Sequence, residues 1–172
     1  MLIELIATFI AGVAGAGLII LINKGLGGRL PKWLTPVVAG LAMLAATLSN
    51  EYGWYGRTTS TLPEGMAVVR KVEKKPGFRV WAYMWPYVDR FAAIDLHSVR
   101  THTALPDQRI ADLFFYGRWA AIRKVPVLAD CRSLKRAQLT EGVSFADDGT
   151  VLGATWFQAD ADDPILTTLC GA

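Results

Sequence analysis

The sequence predicts a membrane-anchored α+β protein, with two N-terminal transmembrane helices forming a hairpin and a mostly antiparallel β domain outside the membrane. Three observations predict it. Residues 2–22 and 34–48 are almost continuously apolar, with Glu4 the one charge in the first stretch. The eleven residues between them carry Lys24, Arg29 and Lys32. After about residue 57 charges of both signs are interspersed, and apolar residues begin to alternate as they do on a half-buried strand. The expected division is a transmembrane hairpin at 1–55, a linker at 56–65 and a soluble β-rich domain at 66–172.

Residues 2–22 span about 31 Å as a helix, close to the roughly 30 Å thickness of a bilayer's hydrocarbon core. A cleaved signal peptide would carry Lys or Arg ahead of a shorter apolar run. Neither feature is present. The glycines would weaken a helix in a soluble core, but in lipid small residues let two helices approach closely. Ala11 and Gly15, and Gly12 and Ala16, have the small-xxx-small spacing; Ala39, Ala42 and Ala46 offer a comparable face on the second segment. That segment is only fifteen residues long, so spanning requires residues 49–55 to lie in the far interface. Tyr52, Trp54 and Tyr55 are residue types that settle at headgroup level, and Trp33 marks the other end. Pro36 suits a first helical turn.

Positive charge stays on the cytoplasmic side of a membrane. The loop cations therefore place the N terminus and the large domain outside, which in a bacterium means an inner-membrane protein with a periplasmic domain. A net charge of +3, largely explained by this loop, requires no nucleic acid. The expected partners are the lipid bilayer and other integral membrane proteins, or a second copy. The two cysteines, Cys131 and Cys170, form neither a CxxC motif nor a zinc site. In an oxidising compartment they are expected to form a disulfide.

In the outer domain, residues 66–75 and 78–87 flank Pro76-Gly77, a turn dipeptide. Residues 91–101 alternate, with Ala92, Ile94 and Leu96 facing one way and Asp95 and His97 the other. Residues 110–116 read as a strand rather than a helix because Phe114, Phe115 and Tyr116 are strand formers and Gly117 interrupts a helix. Residues 125–131 form another strand. A short helix is expected over 133–139, capped by Ser133. Residues 143–145 and 151–157 bracket Asp147-Asp148-Gly149, a hairpin turn, and 165–170 is expected to close the sheet as a last strand.

The candidate sites are few. Trp81, Tyr83, Trp85 and Tyr87 share one face of a strand. They form either the domain core, the preferred reading, or a platform for glycan or a partner protein. Asp95, His97 and His102 fall short of a metal site without a bend and a third ligand. Asp160, Asp162 and Asp163 lack the glycine and closing glutamate of a calcium loop, and read as an acidic turn before Pro164. The basic run Arg70, Lys71, Lys74, Lys75 and Arg79 could touch lipid phosphates or an acidic partner, but with Glu73 inside it and a turn at its tip the preferred reading is a charged hairpin that deters edge pairing. No cofactor, metal or catalytic set is expected. The function expected is that of an accessory, assembly or stabilising subunit of an envelope complex. The alternatives are an outward ligand-binding module and, last, a metal-dependent enzyme.

Overall fold

The computed structural model describes residues 2–74, 85–139, 142–146, 149–160 and 162–171. The chain divides into two compact units, Met1–Ser60 and Thr61–Ala172.

The first unit is a pair of helices, α1 (Leu2–Gly25) and α2 (Leu34–Ser60). α1 ends where Gly27 and Gly28 take positive φ, +69° and +80°. The Gly28 N–H returns to the Asn23 carbonyl at 2.8 Å, and the Asn23 side chain accepts the Leu30 N–H at 2.8 Å. Among the described residues, only α1 is long and apolar enough throughout to cross a membrane. α2 runs longer than its apolar stretch and through the first half of the expected linker, ending at Ser60. In its last, polar turns the Thr59 and Ser60 hydroxyls donate to the carbonyls of Tyr55 and Arg57, both at 2.9 Å. Those same turns, with Glu51 and Arg57, dilute its apolar character.

The second unit is built on one antiparallel sheet. Its strands are β1 (Met66–Lys74), β2 (Tyr87–His102), β3 (Leu105–Gly117), β4 (Ala120–Asp130), β5 (Lys135–Gln138) and β8 (Trp156–Gln158), in the order β1-β2-β3-β4-β5-β8. A small hairpin of β6 (Ser144–Phe145) and β7 (Val151–Leu152) stands apart. A C-terminal helix, α3 (Pro164–Cys170), packs Ile165, Leu166 and Leu169 against Ile94, Ala111, Leu113, Val127 and Ala129 of the sheet. The alternation anticipated in β2 is present: Ala92 and Ile94 are buried in this core, with Leu96 packed against it.

Three local expectations are corrected. Residues 165–170 form α3 and not a strand. The Asp163 carboxylate accepts the N–H groups of Ile165 (2.9 Å) and Leu166 (3.3 Å), and Pro164 starts the helix with its fixed φ. Residues 135–138 form β5 and not a helix. Asp130 accepts the N–H groups of Arg132 and Ser133, each at 3.0 Å, and Leu134 takes φ +52°, so the chain reverses and pairs with β4. Residues 151–157 are split into β7 and β8 around Gly153, whose φ is +78°. The strand placed at 78–87 falls mostly outside the described residues, as do Pro76 and Gly77. Tyr87 belongs to β2, which runs unbroken to His102.

Candidate functional site: an arginine-rimmed groove and an apolar helix surface

On α1, the less exposed positions Glu4, Thr8, Gly12, Gly15, Ile19 and Asn23 recur every three or four residues and form one stripe. This stripe faces α2. A Cβ added to Gly12 would lie 2.8 Å from the Met43 side chain, and one added to Gly15 would lie 2.9 Å from the Ala42 Cβ. Hydrogen at these positions is what permits the close approach. Ala39 lies beside both glycines, while Ala11, Ala16 and Ala46 are half-buried along the same faces. The large apolar side chains point the other way: Leu5 is 69%, Phe9 64%, Leu21 69% and Leu44 61% exposed. The helix contact is thus made through small residues such as Gly12 and Gly15, while much of the pair's large apolar surface is exposed.

On the sheet, α3 covers only part of the face it packs on. Beyond it lies an open groove of about 610 Å³. Cross-strand register builds its floor. Arg70 of β1 pairs with Ala92 of β2, Ala92 with Phe115 of β3, and Phe115 with Arg123 of β4. These four therefore form one row across the sheet, an arginine at each end and apolar residues between. Val72, Arg90, Val125 and Gln138 are among the other lining residues, and no Asp or Glu among the described residues belongs to it. Arg70 reaches this face through a bulge between Val68 and Arg70, which lets Val69 join the core and Arg70 line the groove. Arg90 lies 3.6 Å from Asp89 but is 72% exposed, so the pairing leaves it open to water.

A smaller cleft of about 340 Å³ lies between the sheet and the β6–β7 hairpin, lined by Arg100, His102, Gln108, Ile110, Phe145 and Val151 among others. The His102 imidazole lies over Gly149, whose φ is +84°. The His97 imidazole lies likewise over Gly65 (φ +86°), and the His97 backbone N–H donates to the Asp95 carboxylate at 2.9 Å. The two imidazoles thus rest on separate glycines. Among the described residues no group of three His, Cys, Asp or Glu could hold a metal ion.

Two carboxylates have structural work. Asp163 caps α3 and pairs with Arg136 at 3.3 Å. At Asp130, burial raises the carboxyl pKa, but hydrogen bonds from Ser133, Arg132 and Gln108 outweigh it and hold the value below the usual range. Tyr116 stacks on Phe91 with centroids 4.7 Å apart. Burial, and then the Asp95 charge, raise its phenol pKa above the ordinary value.

Cys131 and Cys170 form a disulfide, joining the end of β4 to the end of α3. Of the aromatic ladder, Trp81 and Tyr83 lie outside the described residues. Trp85 is 61% exposed in a bend, while Tyr87 is buried as the first residue of β2. Asp160 and Asp162 are exposed near the start of α3.

Compared with protein-family models, curated proteins and solved structures, the chain shows no match.

Proposed function

We propose that the chain is a non-catalytic accessory subunit of a bacterial envelope membrane-protein complex, held in the inner membrane by a hairpin of α1 and α2, with its β domain in the periplasm. The observation that carries this reading is the inverted helix pair. A soluble helix turns its large apolar residues inward. Here Leu5, Phe9, Leu21 and Leu44 face outward while Gly12 and Gly15 lie at the contact, an arrangement at low free energy only where the surroundings are lipid or other apolar helices.

Orientation rests on Lys24, Arg29 and Lys32 in the connecting loop. The Cys131–Cys170 disulfide agrees with it, because such bonds persist in oxidising compartments. The accessory role rests on the open groove. In cells the full chain should stay with membranes through an alkaline carbonate wash. Mild detergent should then release it in a species well above its own 18.8 kDa plus micelle. A protein recovered from the soluble fraction would remove the anchor, and a monodisperse monomer in detergent would remove the subunit role.

A further inference from the structure

We propose that the groove beside α3 receives an extended segment of a partner polypeptide bearing two carboxylates four residues apart, with an apolar residue midway. The row Arg70–Ala92–Phe115–Arg123 crosses four strands. Three inter-strand steps of about 4.8 Å put its two arginines about 14 Å apart at the backbone. An extended chain rises about 3.4 Å per residue, so positions i and i+4 are also about 14 Å apart and, with i+2, project to one side. The two carboxylates then meet Arg70 and Arg123, and the middle side chain lies over Ala92 against Phe115, which is 39% exposed. Guanidinium suits this task because its planar fork matches a carboxylate with two parallel hydrogen bonds.

The lining has three cations and no carboxylate of its own among the described residues, so the groove's charge calls for an anionic occupant. A single phosphate headgroup supplies one compact anionic centre, whereas the row offers two cations held apart by an apolar floor. That spacing favours a polypeptide over a lipid. The proposal deepens the accessory-subunit reading by naming the chemistry of the partner surface.

The test uses the full-length protein in an uncharged detergent and a fluorescein-labelled peptide containing Glu-Ser-Leu-Ser-Glu, read by fluorescence anisotropy. Saturable binding that weakens with added salt is expected. R70E/R123E should lower affinity at least tenfold, and a Lys-Ser-Leu-Ser-Lys peptide should bind that variant better than it binds the unaltered protein. Both arginines are exposed, and circular dichroism checks that the variant folds. R123K, which keeps the charge, should bind more strongly than R123Q; equal binding by those two counts against the proposal. Equal affinity of the unaltered protein and R70E/R123E, or no saturation, overturns it. So does displacement of the peptide by glycerol phosphate at matched concentration, which would mark a lipid-phosphate site. None of these outcomes alters membrane retention or the size of the detergent-extracted species, so the two readings fail separately.

Discussion

Asp163 and Asp130 show how single carboxylates decide where the chain turns. Asp163 serves two neighbours at once, the first turn of α3 and the Arg136 side chain. Replacing an N-cap Asp by Ala costs typically about 1 kcal/mol, and here the Arg136 contact is lost with it. Asp163→Ala should therefore lower the domain's unfolding free energy by about 1–2 kcal/mol in urea titration, with Asp163→Asn less affected because it keeps the acceptor. Asp130 adds a pH dependence. Its carboxyl pKa lies below the ordinary value when folded, so its contribution is complete above the usual carboxylate range and is lost as pH falls through the lowered value. Asp130→Asn cannot titrate. The stability gap between native chain and variant should be widest at neutral pH and should narrow steadily as urea midpoints are measured down toward pH 3. A gap that stays constant across that range would mean the charge on Asp130 does not stabilise the turn.

At the scale of elements, the long pieces were legible and the short ones were not. β2 announces itself through alternation at Ala92, Ile94 and Leu96, because a long strand repeats its pattern often enough to be read, whereas β3 was separated from a helix only narrowly, by the aromatic run Phe114–Tyr116 and Gly117. α3 has only seven residues, too few for a helical period to emerge, so its apolar composition resembled a strand. The Asp163-Pro164 pair was the readable mark of its start. β5 was hidden because an Asp130-centred turn and a left-handed Leu134 decide its direction. The groove could not be read at all. Arg70 and Arg123 meet in one row only through the pairing register, and a single bulge decides on which face Arg70 emerges. The helix pair lay at the other extreme, since small-residue spacing is a one-dimensional pattern. Its contact can be tested directly. Gly15 lies where an added Cβ would be 2.9 Å from that of Ala42, whereas nothing lies within 4 Å of the same point on Gly17. Gly15→Leu should force α1 and α2 apart, lengthening the distance between spin labels on exposed Leu18 and Leu41 in pulsed electron resonance. Gly17→Leu should leave that distance unchanged.

At the scale of the whole molecule, three cations and two sulfurs report on the same question. The proposed topology keeps Lys24, Arg29 and Lys32 in the cytoplasm, where lipid charge and insertion machinery retain basic loops. The β domain then lies where Cys131 and Cys170 oxidise, closing a loop with a sequence separation of 39. In the chain-entropy model a loop of that size stabilises the fold by about 4 kcal/mol. Under that proposed topology, orientation and domain stability are coupled through the redox state of the compartment. Replacing the three loop cations with Gln while adding three Lys ahead of α1 reverses the charge bias across the first helix. In a bacterial host the chain should then insert the other way, leaving its β domain in the reducing cytoplasm. Alkylation with a maleimide polymer after denaturation should add no mass to the native chain and two polymers to the variant. Without its cross-link, the variant's domain should unfold at lower urea, by about the disulfide's contribution. Cysteines that stay oxidised in the variant would show that these three charges do not set the orientation. Cysteines free in the native chain would place the domain on the cytoplasmic side and remove the periplasmic assignment altogether.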